Sequence, residues 1–138
     1  MDQSSDILYR VLEERDFPAC LELWRRTPGM GLRSSDNQES FSRFLARNPG
    51  MSFAAVSGTS LAATVMCGHD GRRGYLYHLA VDAAFRRRGI GSRLVDLALS
   101  ALREEKIDKC TLFVFGDNET GNAFWSAAGW NVRTDLLI

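Results

Sequence analysis

The spacing of apolar side chains changes along the chain, and each spacing predicts a different secondary structure. Apolar positions recur every three to four residues from Ile90 to Arg103, with polar residues on the opposite side, which predicts an amphipathic helix. Other apolar runs are shorter and rich in β-branched and aromatic residues, which is typical of strands. Strands are predicted over Ile7 to Leu12, Met51 to Val56, Leu61 to Cys67, Tyr75 to Val81, Lys109 to Phe115 and Trp130 to Ile138.

Capping residues predict three further helices. Asp16 is a candidate N-cap with Pro18 in the first turn, and Asp36 with Glu39 resembles a capping box. Asn118 is the candidate N-cap of the last helix. Apolar positions follow each cap at helical spacing: Cys20, Leu21 and Trp24; Phe41, Phe44 and Leu45; and Phe124, Ala127 and Ala128.

The order of these elements predicts a mixed sheet. Short polar turns separate the strands between residues 51 and 81, which predicts a three-stranded antiparallel meander. The strand from Lys109 to Phe115 follows a long helix, so it is predicted to lie parallel to Tyr75 to Val81 through a right-handed connection. With 138 residues and no linker or repeat, the chain is expected to form one α/β domain over residues 1–138.

Composition narrows the range of partners. The chain carries 17 Lys and Arg against 17 Asp and Glu, whereas a protein that wraps nucleic acid usually has a large positive excess. The longest apolar runs are strand-sized, and the N-terminus lacks the pattern of a secretory signal. Cys20, Cys67 and Cys110 are not in metal-binding spacing and indicate buried reduced thiols. We therefore expect a cytoplasmic protein without membrane, nucleic-acid or metal partners.

The junction between the strand at Tyr75 to Val81 and the next helix carries three arginines, Arg86 to Arg88, and two glycines, Gly89 and Gly91. A helix start leaves backbone N–H groups without intrahelical partners and has the positive end of the helix dipole, so it stabilises an anion. Glycine lets a ligand approach the backbone, and a guanidinium group binds phosphate through two hydrogen bonds. The pattern predicts a site for a phosphorylated ligand, and the alternative is a loop of solvated charges.

Three motifs in register are similar to those of the GNAT superfamily of acetyl-CoA-dependent N-acetyltransferases. Arg86, Gly89 and Gly91 match its pyrophosphate-binding motif in the order R-x-x-G-x-G. The strand end Leu79 to Val81 and the segment Asn118 to Trp130 lie at the offsets that this family shows. A Rossmann site is disfavoured because no third glycine follows and no second βαβ unit is predicted, and a P-loop because no G-K-[ST] occurs.

The resemblance implies the GNAT fold, in which two parallel strands separate to hold coenzyme A. The pyrophosphate is expected on the backbone N–H groups of the turn, and the pantetheine arm along the open strand edge. An asparagine at the start of the last helix commonly contacts the pantetheine. Carried over to this chain, the expected coenzyme-binding residues are Leu79, Ala80, Val81, Arg86, Arg87, Arg88, Gly89, Ile90, Gly91, Ser92 and Asn118.

The resemblance also implies direct attack of an amine on the acetyl thioester, and this chain departs from the family at the catalytic positions. Where many members carry a Glu or His, this chain has Tyr75 and Tyr77. Strand alternation predicts His78 on the opposite face, as a packed core residue or a proton acceptor. Trp125 replaces a tyrosine that protonates the thiolate, and an indole N–H donates a hydrogen bond without titrating. The candidate catalytic residues are Tyr77, His78 and Trp125.

The acceptor is expected to be a primary amine of a small molecule or of a protein N-terminus. Removing the ammonium proton at pH 7 costs about 1 to 1.5 kcal/mol for an α-amine and about 4 to 5 kcal/mol for lysine. Five arginines are predicted to lie near the acceptor: Arg25, Arg26, Arg33, Arg72 and Arg73. They favour an amine that also bears a carboxylate or phosphate. The alternative is that they are solvated loop residues. A coenzyme A-binding module with little turnover stays open as an alternative function, and so does a homodimer.

Overall fold

The computed structural model describes residues 6–138, which form a five-stranded mixed sheet between two layers of helices. The strands lie in the order β1-β2-β3-β4-β5, with β1 (Ile7–Val11), β2 (Phe53–Ser57), β3 (Ser60–His69), β4 (Gly74–Val81) and β5 (Cys110–Thr111). The helices are α1 (Phe17–Arg25), α2 (Gln38–Arg47), α3 (Ile90–Glu104) and α4 (Glu119–Ala127). This arrangement confirms the predicted mixed α/β fold.

The sheet is antiparallel from β1 to β4 and parallel between β4 and β5, so the predicted meander is confirmed. Only two residue pairs join β4 to β5, and the second of them is Tyr75 with Thr111. The predicted strand from Lys109 to Phe115 is therefore correct only at Cys110 and Thr111. Within the described residues, the edge of β4 from Leu76 to Val81 has no strand paired beside it on the β5 side.

Side chains of α3 fill one face of the sheet, and those of α1 and α2 fill the other. On β3, Val65 and Cys67 point toward α3, whereas Met66 between them points toward α1 and α2. The α3 core includes Leu94 and Ala98, both fully buried. Because β3 is covered on both faces, it has a nearly continuous apolar sequence. The sheet thus separates two sides of the molecule that contribute differently to the candidate site.

The prediction of a final strand from Trp130 to Ile138 is wrong, because the described chain runs from α4 to its end without pairing to the sheet. The physical reason lies in β5. Its pairing with β4 ends at Thr111, so β5 offers no long edge on which a further strand could add. Trp130 packs against the α3 core, and the side chains beyond it are exposed.

Asp16 occupies the N-cap position of α1 with Pro18 in the first turn, as predicted, but its side chain bonds elsewhere. Its carboxylate accepts two hydrogen bonds from the Arg10 guanidinium, at 2.8 and 2.9 Å, and one from the backbone N–H of Glu13 at 2.8 Å. Asp16 therefore closes the 3-10 turn at Glu14–Asp16 that precedes α1, and its side chain makes no capping bond to α1.

The two other predicted caps have different outcomes. The N-cap of α2 is Asn37, whose Oδ1 accepts a hydrogen bond from the N–H of Ser40 at 2.9 Å, so Asp36 lies one residue too early for that role. Asn118 is the N-cap of α4 as predicted, and its Oδ1 accepts from the N–H of Gly121 at 3.0 Å. Asp36 is thereby left available for a contact with the sheet.

Candidate active site

The turn between β4 and α3 carries the predicted phosphate-binding residues. β4 ends at Val81, and the chain passes through a 3-10 turn at Ala83–Phe85 before α3 begins. Arg87 has φ +65°, and Gly89, the N-cap of α3, has φ +74°. This left-handed backbone favours glycine, which has no Cβ. The N–H groups of α3 as far as Ser92 have no intrahelical partners, so this helix end is suited to an anion.

The two glycines of this turn have different roles. A Cβ on Gly89 would meet no atom within 4 Å, so the positive φ and not crowding is the reason for glycine there. Gly91 is buried, and a Cβ on it would lie 3.5 Å from the Phe124 ring and the Val81 side chain, which is ordinary contact. Ile90 beside it is buried in the α3 core. Gly89 is therefore the glycine that the exposed turn requires.

Three exposed arginines surround the start of α3. The Arg86 Nε–H donates a hydrogen bond to the carbonyl oxygen of Val81 at 3.3 Å. The Arg88 guanidinium lies 5.3 Å from the centroid of the Phe85 ring, and Arg87 occupies the left-handed position. All three side chains are exposed, so their charges add to the positive end of the helix dipole. The three guanidinium groups and the N-terminus of α3 therefore make this turn positively charged.

Asp82 connects the same turn to α1. Its carboxylate accepts a hydrogen bond from the N–H of Ala84 at 3.0 Å and another from Arg26 at 2.7 Å. These bonds, the backbone bond first, hold the pKa of Asp82 below its usual range. Arg26 is therefore committed to an ion pair just beyond the Val81 end of β4.

The structure does not gather the five arginines that were predicted to face the acceptor. Arg72 and Arg73 lie in the turn before β4, where their N–H groups bond to Asp70. Because β4 has 8 residues, its length places that turn about 25 Å from Asp82 and its partner Arg26. The arginines are distributed along the molecule and form no single pocket for an anion.

The open edge of β4 begins where β5 turns away. Leu79 and Val81 direct their side chains into the α3 core, whereas Ala80 points toward α1 and α2. The side chains of these three residues therefore point to the two faces of the sheet. Their backbone groups form the edge of β4 that β5 leaves unpaired. This edge leads from the middle of the sheet to the positive turn at the start of α3.

A bulge in β4 changes the direction of His78. The register pairs Thr64 with Ala80 and Met66 with Tyr77, so one residue of β3 lies opposite two residues of β4. His78 has φ +49° within this bulge. Both Tyr77 and His78 consequently project toward α1 and α2, and the prediction that they lie on opposite faces is wrong.

His78 is held by contacts from three other segments. Its Nε2 lies 2.7 Å from Oδ1 of Asp36, in the loop between α1 and α2, and its ring centroid is 4.6 Å from that of Trp24. The Thr64 hydroxyl donates to the carbonyl oxygen of His78 and accepts from the Trp24 indole N–H, both at 3.0 Å. The side chains of His78 and Asp36 are 16% and 12% exposed. His78 is thus a packed residue and also one ring of a histidine–carboxylate pair.

Tyr77 lies beside this pair with a more open ring. Its ring centroid is 5.8 Å from that of Phe44 in an edge-to-face contact and 6.3 Å from the stacked ring of Tyr75. Burial, with a smaller effect of Tyr75, raises the pKa of Tyr77 above its usual value. The hydroxyl is therefore protonated at neutral pH and serves as a hydrogen-bond donor.

A cavity of about 570 Å³ opens between the α1–α2 loop and the connection from β5 to α4. The loop approaches so closely that a Cβ on Gly31 would lie 2.6 Å from the Phe115 ring, and one on Gly29 would lie 2.6 Å from Nδ2 of Asn118. The cavity is lined by Pro28, Gly29, Phe115, Asp117, Asn118, Glu119 and Thr120. Its only charged lining residues are acidic.

Known proteins resemble this chain in sequence and in fold. The family model of the GNAT acetyltransferases matches residues 17–130. The chain belongs to the GNAT acetyltransferase family. It is 32% identical over 114 residues to an acetyltransferase of Photorhabdus laumondii, covering 80% of this chain and 76% of that one. It is 28% identical over 130 residues to an acetyltransferase of Sodalis glossinidius, covering 94% and 90%.

Solved structures of GNAT acetyltransferases share the fold. The PaiA N-acetyltransferase of Thermoplasma acidophilum, in complex with coenzyme A, has a TM-score of 0.79 at 18% identity, covering 93% of this chain and 91% of that one. An acetyltransferase of Clostridium acetobutylicum with acetyl-CoA has a TM-score of 0.76 at 17% identity, covering 96% and 94%. The GNAT fold predicted from the sequence is confirmed.

Two residues that the GNAT resemblance singled out are engaged in packing. The Trp125 ring is half-buried between those of Phe124 and Trp130, with centroids 4.9 and 5.1 Å away. The side-chain Oδ1 of Asn118 accepts a hydrogen bond from the N–H of Gly121, and its side-chain Nδ2 lies against Gly29. Their assigned roles toward the thiol and the pantetheine stay predictions.

Sequence reasoning about this GNAT chain missed the residues that long-range contacts bring to the site. The capping-box spacing of Asp36 and Glu39 predicts a helix cap, whereas the Asp36 side chain pairs with His78. Phe115 was assigned to a strand, and its contact with Gly31 had no local signal. The glycine-rich loop after α1 was the one available indication that a close approach occurs there.

Two further observations concern metal ions and membranes. No group of three or more His, Cys, Asp or Glu side chains within residues 6–138 is arranged to hold a metal ion. In the same part of the chain, no helix is both long and apolar enough to cross a membrane.

Proposed function

We propose that this GNAT protein transfers the acetyl group of acetyl-CoA to a primary amine of a small molecule or of a protein N-terminus. The observation that carries the proposal is the open edge of β4, which runs from the positive start of α3 to the histidine–carboxylate pair on the other face. Such an edge accepts an extended, amide-bearing arm through backbone hydrogen bonds. It connects a phosphate site with a proton acceptor.

The donor binds through backbone groups more than through side chains. The pyrophosphate lies on the N–H groups between Gly89 and Ser92, and the charges of Arg86 to Arg88 surround it. The pantetheine arm follows the edge from Leu79 to Val81. The thioester then reaches the point where β4 and β5 separate, beside Tyr77 and His78.

The amine attacks the thioester carbonyl, a C–N bond forms and the C–S bond breaks. His78 accepts the proton that the amine loses, while Asp36 accepts a hydrogen bond from Nε2 and so leaves Nδ1 as the basic nitrogen. The Tyr77 hydroxyl, whose pKa is raised, donates a hydrogen bond to the departing thiolate. An α-amine fits this arrangement better than lysine, because its deprotonation costs about 3 kcal/mol less at pH 7.

The test is a screen of acceptor amines with the free thiol of coenzyme A as the readout and mass spectrometry of the product. The expected result is thiol release only with both substrates present, and a product that is heavier by one acetyl group on nitrogen. The alternative is a coenzyme A-binding module, which Trp125 at the usual tyrosine position favours. Tight coenzyme A binding without thiol release from any amine would establish that alternative.

We also propose a cytoplasmic location. Cys20 and Cys67 are buried and unpaired, and burial raises the pKa of each thiol to about 12. Free buried thiols are typical of proteins in a reducing compartment. Export of the native protein with these thiols oxidised would contradict this location.

A further inference from the structure

Aromatic side chains are concentrated on the face of the sheet opposite α3, where β4 and the segment after β5 separate. We define this aromatic cleft as Tyr75, Tyr77, Phe113 and Phe115. Tyr77 is 40% exposed, Phe113 59% and Phe115 47%, so these rings are available to a ligand. Exposed aromatic rings grouped at the mouth of a site indicate a binding surface.

The register places these rings on one face. Tyr75 pairs with Thr111, so the two side chains point the same way. Beyond Thr111, exposure alternates: Leu112 packs against the α3 core, whereas Phe113 and Phe115 are exposed. Phe115 meets Gly31 of the α1–α2 loop, which identifies the face toward which the alternate residues point. The rings from β4 and from the segment after β5 therefore line the two walls of one opening.

The charges around the aromatic cleft do not suit an anionic acceptor. Asp117 and Glu119 line the adjoining cavity together with Phe115. Arg26 is engaged by Asp82 at the coenzyme end of β4, and the arginines of the turn before β4 lie about 25 Å from that pair. A carboxylate on the acceptor would meet these acidic neighbours, with the exposed Arg33 on the loop beside Asp36 as an opposing cation. An apolar or aromatic group would cover exposed ring surface, and its ammonium would be attracted to the ring faces.

We propose that the acceptor is an amine with a bulky apolar or aromatic substituent beside its amino group, and that the substituent binds in the aromatic cleft. This specificity rests on the proposed N-acetyltransferase function. The donor reaches the separation from the α3 side and the acceptor from the opposite side, so the two substrates occupy different faces of the sheet. The α-amine of a peptide with a hydrophobic first residue and a free arylalkylamine share this chemistry.

The first test compares matched acceptors at saturating acetyl-CoA. Tripeptides that differ only in a first residue of Phe, Ala, Asp or Lys report on the peptide source, and 2-phenylethylamine, β-alanine and putrescine report on free amines. We expect kcat/KM for the Phe peptide to exceed that for the Ala peptide by about 10- to 100-fold, which is the usual effect of burying one large apolar side chain. A preference for Asp or β-alanine would overturn the proposal.

The second test uses Phe113→Ser with Leu8→Ser as the matched control. Both side chains are exposed to a similar degree, 59% and 62%, and Leu8 lies on β1 at the far edge of the sheet. We expect Phe113→Ser to reduce the preference for the Phe peptide over the Ala peptide at least fivefold with KM for acetyl-CoA unchanged. Leu8→Ser should leave the preference as it is. Equal preferences in both variants would refute a role for the aromatic cleft.

A binding measurement separates this inference from the proposed function. Calorimetric titration of the same acceptors into the protein saturated with coenzyme A requires no turnover. If the amines bind with the apolar preference but none is acetylated, the proposed function is wrong and the inference holds. If amines are acetylated without the preference, the function holds and the inference is wrong.

Discussion

The proposed coenzyme side and the proposed acceptor side of this protein are built in different ways. The coenzyme side uses one continuous stretch, from Leu79 to Ser92, and depends on backbone N–H groups, a left-handed glycine and a helix end. The acceptor side assembles side chains from the α1–α2 loop, the β4 bulge and the segment after β5. Asp36 and His78, for example, lie 42 residues apart in sequence. A backbone site tolerates many side chains, whereas an assembled site depends on each of them.

This difference predicts how variants divide. Changes on the coenzyme side should alter the affinity for coenzyme A, and changes on the acceptor side should alter turnover while coenzyme A affinity stays constant. Variants that affected both quantities equally would show that the two sides are not separate.

The largest expected effect is that of His78→Gln. Removal of the proton acceptor should lower kcat/KM by about 100-fold at pH 7, the usual contribution of a general base, with the Kd for coenzyme A unchanged. Steady-state kinetics and calorimetry measure the two quantities.

The variant Asp36→Asn tests whether Asp36 positions the His78 ring. It leaves the His78 ring in place but weakens the 2.7 Å contact, so a smaller loss and an altered pH–rate profile are expected. Full activity of His78→Gln with a preferred acceptor would show that another group takes the proton.

Gly89→Val should weaken coenzyme A binding by about 5- to 150-fold. Valine at φ +74° is strained by about 1 to 3 kcal/mol, and the strain moves the N–H groups at the start of α3. The matched control is Gly58→Val in the β2–β3 turn, with φ +60° and equally open surroundings. Both variants should lose similar stability, and only Gly89→Val should lose affinity. Equal affinities of the two variants for coenzyme A would show that the turn between β4 and α3 does not bind the coenzyme.

Trp125→Phe should lower turnover less than about fivefold. The indole packs between Phe124 and Trp130, and phenylalanine preserves most of that packing. A loss approaching a thousandfold, as expected on removing an acid or an oxyanion donor, would contradict this view. Turnover with a saturating acceptor is the measurement.

Asp82→Asn should have the smallest effect and one that depends on pH. The folded pKa of Asp82 is lowered by the Ala84 N–H and by Arg26, so the pair contributes stability at neutral pH and loses it as pH falls through the folded value. A partly exposed ion pair contributes under about 1 kcal/mol. Asp82→Asn should therefore have a lower Tm than the parent at pH 7, and the difference should disappear in acid below the folded pKa of Asp82. The control is Asp96→Asn on α3, and an equal loss there would indicate a general charge effect.

The same contrast explains how far the sequence could predict this molecule. The long helix was predicted from Ile90 to Arg103 and is observed to Glu104, because its period of apolar residues is local. The glycine turn and the Asn118 cap were local signals too. The direction of His78 was not predictable, because the bulge exists only in the register of β4 against β3. The length of β5 likewise depends on where β4 stops pairing, which residues 109 to 115 do not encode.

The contact between Gly29 and Asn118 has a consequence for the order of events. Asn118 is the N-cap of α4 and also contacts the α1–α2 loop. The same loop contains Asp36, which pairs with His78. A pantetheine arm that engaged this amide would compete with those contacts and would shift the loop or loosen the helix start. Binding of acetyl-CoA would then change the position of the α1–α2 loop before the amine binds. Such coupling favours sequential loading, with acetyl-CoA first and the amine second.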